Sequence, residues 1–237
     1  MPSDLYICQD RRPPTPTTPR QTRNPYHHGD LRRALLDAAL EIVRDRGLSA
    51  LTMRAVARKT RVSHMAAYHH FKDKAALVAA VAEEGFRALR QEMLERITCF
   101  PDDARTQLRE SGIAYVVFAV RNPNLFRVMF GPERAKAAAH AKLDEAAKAA
   151  FAVVLGLVEQ SQQAKTIPAG NAQHIGLHAW ALVHGLAMLC IDGRLGPEAS
   201  EPAHAEGIAY AALGALQPLP RPSPPAAAAN RRHFPHD

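Results

Sequence analysis

Residues 47–74, GLSALTMRAVARKTRVSHMAAYHHFKDK, constrain the fold of this chain more than any other stretch. Thr52 and Ser63 are of the types whose hydroxyls satisfy free backbone N–H groups at a helix start, and they stand eleven positions apart. The spacing predicts two short helices joined by a tight turn. Val56 and the small Ala57 pack inward, Val62 anchors the turn, and Ala67 with Phe71 continues the apolar face. The second helix opens with His64, Met65 and Ala66, followed by Tyr68, His69 and His70. This is the order of a helix-turn-helix: a compact first helix, a short turn, then a helix whose first turn faces base edges. An ordinary helical hairpin has the same spacing, so charge must weigh between the two.

The formal net charge of +7 is unevenly spread. Residues 1–75 hold 14 Lys/Arg against 7 Asp/Glu, whereas residues 76–237 hold 16 of each. The whole excess therefore sits beside the candidate helix-turn-helix, as sequence-independent attraction to phosphate requires. Arg11, Arg12, Arg20 and Arg23 belong to an arm preceding the folded region, and such an arm supplies part of the excess without any role on DNA.

A chain of 237 residues is long enough to bury a substantial core. It has no run of 18 apolar residues, so no membrane-spanning helix is expected. The N-terminus carries Pro and Thr where a signal peptide would need an apolar segment. Cys8, Cys99 and Cys190 are odd in number and far apart, without metal-type spacing, and read as reduced thiols in a cytoplasmic protein.

Residues 1–24 are rich in Pro, Thr and Arg and are expected to form a disordered basic arm; the Pro/Ala-rich residues 217–237 are expected to be a disordered tail. The rest reads as all-α. Asp30 is placed to cap a helix with apolar positions Leu31, Leu35, Ala38 and Ile42, ended by Gly47. Asp73 caps a long helix through Leu77, Val81, Leu89 and Met93 that stops before Pro101. Further helices are expected over 103–121, 125–130, 132–165, 171–192 and 197–216.

With these residues in place, the chain resembles the TetR/AcrR family of bacterial transcription regulators. LTMRAVARKTRVSHMAAYHHFKDKAAL is similar to that family's DNA-binding signature: a capping Thr, a small core Ala, Val-Ser before the recognition helix, then Tyr, His-Phe and Lys. NPYHHGDLRRALLDAALEIV resembles the first helix of one branch, and AWALVHGLAML resembles the Trp and His-Gly pair of that branch's C-terminal domain. The likeness covers roughly residues 25–215 and implies a three-helix DNA-binding domain at 25–74 and a helical effector-binding and dimerisation domain at 75–216. The sequence departs at Arg61, where the family usually has Gly. A turn residue there commonly needs positive φ, which costs a non-glycine residue on the order of 1 kcal/mol. Strain is therefore expected, with an added phosphate contact as the lesser alternative.

For DNA, His64, Met65 and Ala66 are candidates for groove contact, and His69 lies one turn on from Met65. The histidines can hydrogen-bond base edges, while Met65 and Ala66 offer apolar contact. Tyr68 resembles the family's phosphate-contacting tyrosine; a core aromatic is its alternative. Lys74 opposes the macrodipole at a helix start unless a phosphate docks there, and the family places a phosphate-binding lysine at this point. Thr52, Arg54 and Ser63 complete the set, Thr52 and Ser63 doubling as caps.

The resemblance implies a homodimer joined by the last two helices, where Gly176, Ala179, Gly185, Ala187, Ala211, Ala212 and Gly214 would allow close approach. It also implies a small-molecule pocket with Tyr115, Phe118, Phe126, Met129, Trp180 and His184 as candidates. Trp180 and His184 are four apart, an apolar wall with a polar handle or a plain core contact. His174 and His178 share that spacing, but no third ligand lies near them in sequence; His27-His28 suits a phosphate or minor-groove contact better than a metal. No metal, cofactor or membrane partner is expected. The chain carries no G-x-S-x-G, phosphate-type glycine loop, paired-carboxylate site or H-E-x-x-H, so an enzyme is the weak alternative. A regulator without a ligand, switched by a protein partner, is the stronger one; a fully packed C-terminal core would favour it.

Overall fold

The computed structural model describes residues 28–132 and 140–215. The expected basic arm and tail, with Cys8 and His27, lie outside them. Every regular element among the described residues is a helix. Helix α1 spans His28–Arg46, α2 Met53–Lys59, α3 His64–His70, α4 Lys74–Ile97, α5 Ala104–Arg121 and α6 Pro123–Phe130. Helix α7 spans Ala141–Gln163, α8 Ala172–Ile191 and α9 Pro202–Ala215. Two short 3₁₀ turns, Leu48–Ala50 and Pro197–Ser200, precede α2 and α9.

Side-chain caps set most of the helix starts. The Thr52 hydroxyl accepts from the Ala55 N–H (3.0 Å), Ser63 from Ala66 (3.1 Å) and the Asp73 carboxylate from Ala76 (2.7 Å). Asp103 and Asn171 do the same for α5 and α8. Each cap satisfies a donor the helix itself cannot, worth about 1 kcal/mol.

Three helix boundaries differ from expectation. Helix α1 begins at His28, so Asp30 sits inside its first turn rather than capping it. A continuous helix over 132–165 is excluded, because His140 is extended (φ −103°, ψ 100°) and α7 starts after it. The alanine run carries helix propensity but no large apolar side chain to pack; the first such residue, Leu143, is fully buried. The segment from Pro197 divides into the 3₁₀ turn, an extended Glu201 and α9, since the residue before Pro202 is pushed out of the helical region.

The turn after α2 is a Schellman motif. The Val62 N–H reaches the Ala57 carbonyl (3.0 Å), the Arg61 N–H reaches that of Arg58 (3.2 Å), and Arg61 takes φ 58°. The expected positive φ at Arg61 is therefore found. Lys165 repeats the arrangement at the end of α7, with φ 55° and Thr166 N–H bonded to Ser161 O.

Val56, Ala57, Ala67 and Phe71 are buried and Val62 packs beside them, joining Leu31, Leu35, Ala38 and Ile42 of α1. Lys59 and Glu41 (2.6 Å) tie α2 to α1, and the Arg32 guanidinium lies 5.0 Å from the Phe71 ring centroid. One apolar cluster runs from this unit into the remaining helices. At its centre α5 packs on α4, α7, α8 and α9, and every residue from Ile113 to Val120 is buried.

By length and composition α8 could cross a bilayer, against the sequence expectation. Packing within the protomer accounts for part of its apolarity, with 28% of the span enclosed: Gly176, Val183, Leu186, Ala187 and Cys190 are buried, and α8 packs along α5. Cys190 is a free thiol within that packing, whereas Cys99 is disulfide-bonded, against the expectation of reduced thiols.

Candidate nucleic-acid interface and cavity

The expected DNA-facing residues other than Ala66 stand exposed along the segment from the α2 cap to the start of α4. Thr52, Arg54, Ser63, His64, Met65, Tyr68, His69 and Lys74 are all exposed. Met65 is 66% and Tyr68 39% exposed, so Tyr68 is not the core aromatic that was its alternative. The His64 and Tyr68 rings meet edge to face at 4.9 Å, fixing both across one helical turn. Ala66 departs from the set: it is half-buried against the core, and its N–H is held by Ser63. With Ala67 fully buried behind it, α3 offers a narrow outward strip of His64, Met65, Tyr68 and His69.

Lys74 is the first residue of α4, next to the Asp73 cap. Its neighbour Lys72 is exposed as well, a cation the sequence pattern did not single out because no spacing rule marks it. Lys72 and Lys74 thus flank a helix start whose Ala76 N–H is taken by the Asp73 carboxylate.

The same α4 leads inward. Twelve residues along, about 18 Å, Phe86 begins a stretch with Leu89 and Met93 that lines a cavity of about 1340 Å³. Helices α5, α7, α8 and α9, with Phe130 of α6 and the segment 166–170, supply the other walls. Of the six expected pocket residues, Tyr115 and Trp180 line it; Phe118, Phe126, Met129 and His184 do not. Phe118, Phe126 and Met129 are essentially fully buried, because their helices carry apolar stripes wider than the face turned to the cavity.

His184 lies behind the wall, and its polar edge is engaged. The Tyr115 hydroxyl is 2.9 Å from His184 Nδ1, and Trp180 Nε1–H donates to the same hydroxyl at 3.3 Å. Burial pushes the Tyr115 pKa up and the His184 pKa down, so both are neutral near pH 7. In the neutral tautomer with Nδ1 as acceptor, the Tyr115 O–H donates to Nδ1 and Nε2 carries the ring N–H.

Sequence reasoning missed Arg105, Arg109 and Phe151, which also line the cavity. Arg105 and Arg109 are one turn apart on a helix otherwise dominated by apolar residues, and that spacing was available in the sequence. His178 lines the cavity, but no group of three or more potential metal ligands occurs among the described residues.

Helix α6 joins the two regions. The Asn124 side-chain amide donates to the Arg44 carbonyl of α1 (3.0 Å). On its other side, a Cβ added at Gly85 of α4 would stand 2.6 Å from Met129 Sδ. Glycine is what lets α4 and α6 approach this closely.

Comparison with known proteins agrees with this architecture. Residues 35–81 match the family model described as bacterial regulatory proteins, tetR family, and residues 108–213 match one described as tetracyclin repressor-like, C-terminal domain. The HTH-type transcriptional regulator BetI of Klebsiella pneumoniae (strain 342) is 34% identical over 76 residues, which are 32% of this chain and 39% of that protein. The chain thus matches well under half the length of this curated relative. A solved structure of a protein with unknown function from Rhodococcus sp. RHA1 is 34% identical, with TM-score 0.67, covering 80% of this chain and 98% of that one. The TetR family transcriptional regulator PfmR from Thermus thermophilus shares the fold, with TM-score 0.55 and 17% identity over 79% of this chain and 96% of its own.

Proposed function

The chain belongs to the TetR family of DNA-binding transcriptional regulators, and on that premise we propose that it is a cytoplasmic, nucleoid-associated repressor that holds an inverted-repeat operator as a homodimer and is released by a small apolar ligand. The observation that carries this reading is the outward strip His64, Met65, Tyr68, His69 beside the cationic start of α4. Histidines on the strip read base edges, while Lys74, Thr52, Arg54 and Tyr68 hold phosphates.

Dimerisation is supported by the outer faces of α8 and α9. Ala181, Gly185 and Leu189 form one exposed line at four-residue spacing, and Ala203, Gly207 and Ala211 form another. Nothing lies within 4 Å of a Cβ added at Gly185 or Gly207, so these glycines face open space. Tyr210, 40% exposed, and Leu189, 43% exposed, are large apolar groups on the same faces. Gly176 and Ala187 pack inside the protomer instead, Gly176 against Leu155. A self-complementary apolar face with small residues suits a two-fold helix pairing.

The open cavity favours a ligand-responsive regulator over one switched by a protein partner, which would not need it. BetI and PfmR are regulators, and the enzyme alternative gains no support from them. The test is salt dependence. A dimer presenting the phosphate-contacting residues twice predicts a plot of log K against log salt with slope of roughly −4 or steeper. An affinity indifferent to salt overturns the DNA-reading assignment.

A further inference from the structure

The cavity carries charge of one sign. Arg105, Arg109 and Lys148 line it, and no aspartate or glutamate does. Arg105 and Lys148 make no ion pair among the described residues. Arg109 is only loosely held: its Nη2 stands 3.5 Å from Glu110 Oε1, while Arg96 approaches the other oxygen of that carboxylate at 2.8 Å. Its guanidinium lies 4.8 Å from the centroid of the Tyr210 ring, and its Nε–H is buried without an acceptor. The protein therefore leaves this guanidinium under-satisfied, which native structures avoid unless a further acceptor arrives.

The cations are also segregated. Ser161 Oγ donates to the Ala104 carbonyl at 3.0 Å, which sets the C-terminal end of α7 beside Arg105. Lys148, thirteen residues earlier on α7, is then about 20 Å away along that helix. Along α5 the rise from Arg109 and Arg105 to Tyr115 is about 9–15 Å, and over that span the walls are Leu89, Met93, Phe151 and Trp180.

We propose that the cavity takes an amphipathic organic anion, an extended apolar body ending in one carboxylate or phosphate monoester, with the acid group held by Arg105 and Arg109 and the body laid toward Trp180. The inference rests on the effector reading of the cavity and gives that ligand its chemical class. Two guanidinium groups one turn apart match the paired oxygens of such a head better than a lone ammonium does.

The chain has one tryptophan, Trp180, and it lines the cavity, so its fluorescence reports occupancy directly. The full-length protein is titrated below micelle-forming concentration with dodecanoate, dodecyl phosphate, dodecanol and dodecylamine. At least one of the two anions should bind tenfold or more tighter than the alcohol and the amine, and comparing the anions identifies the head group. Arg105→Ala, at an exposed position, and Arg109→Gln should each cut the preference to within threefold and leave dodecanol affinity in place. Lys148→Ala should keep it. Equal binding of alcohol and anions, no quenching by any probe, or a preference that survives both arginine variants overturns the proposal, as does one lost only in Lys148→Ala. Release of bound DNA is measured separately by anisotropy: an anion that binds the protein but leaves the DNA in place overturns the effector reading and leaves the ligand class standing.

Discussion

The α1–α3 unit and the cavity-bearing helices place their exceptional residues differently. In the first, the apolar side chains meet in one small core, and the residues of interest stand outside it on a single short helix and the next helix start. In the second, the exceptional residues line an interior space built by six helices, and most large side chains near it are simply core. A surface reader is specified locally, within some thirty residues of sequence. An interior site is specified by how distant helices pack, and local spacing says little about it.

The largest effect is expected where the second region is proposed to serve the first. Ala211→Glu places a charge on the exposed line of α9 and should convert dimer to monomer, lowering operator affinity ~100-fold or more, because an unpaired buried charge costs several kcal/mol. Ala211 is the position to use, since Ala212 is half-buried against its own core. Sedimentation beside a binding assay checks it; a monomeric variant that binds at full strength removes the C-terminal helices from dimerisation.

Within the reading surface, two substitutions should separate by kind. Lys74→Ala should weaken all sequences alike and make the salt slope shallower by about 2 per dimer, one for each phosphate no longer neutralised. His64→Ala should relax preference at one position of each half-site by about 1–3 kcal/mol. Binding selections on both variants decide the roles, and a changed motif with Lys74→Ala, or an unchanged one with His64→Ala, reverses them.

The contrast explains what the sequence made legible. Thr52, Ser63 and Asp73 cap the helices expected of them, because a cap is a bond across three residues, and Asp103 and Asn171, expected only near helix starts, cap theirs as well. The positive φ at Arg61 was legible through the family resemblance, which places glycine there; Lys165, in the same kind of turn, carried no such mark and was not foreseen. Of the pocket candidates, Tyr115 and Trp180 reach the cavity, whereas the neutral His184 commits Nδ1 to Tyr115. Periodicity marks an apolar stripe but not which part of it faces another helix. The start of α7 was misplaced for the same reason, since alanine propensity runs past His140 and only the packing of Leu143 marks the boundary.

The seam between the regions gives a smaller effect. Gly85→Ala sets a methyl 2.6 Å from Met129 Sδ, and Met129 is fully enclosed. Overpacking of this kind should destabilise by about 1–3 kcal/mol, offset in part by alanine's helix propensity. A lower melting temperature is the expected result; an unchanged one would show that α6 yields at this point.

Smallest of all, Arg61→Gly should stabilise by up to about 1 kcal/mol, and Lys165→Gly by a similar amount. The two sit at the same place in the same motif, one in each region, so thermal melts of both compare local strain alone. A lower melting temperature for Arg61→Gly would mean that its side chain makes a stabilising interaction outweighing the backbone cost.

The central claim is that two copies of α3 read DNA across a two-fold axis. Selection of bound duplexes from a random pool, with the purified full-length protein, tests it most directly. The account predicts an enriched inverted repeat whose half-sites lie about one helical turn apart or a little more. Enrichment of a single half-site, of a direct repeat, or of no sequence at all would contradict it.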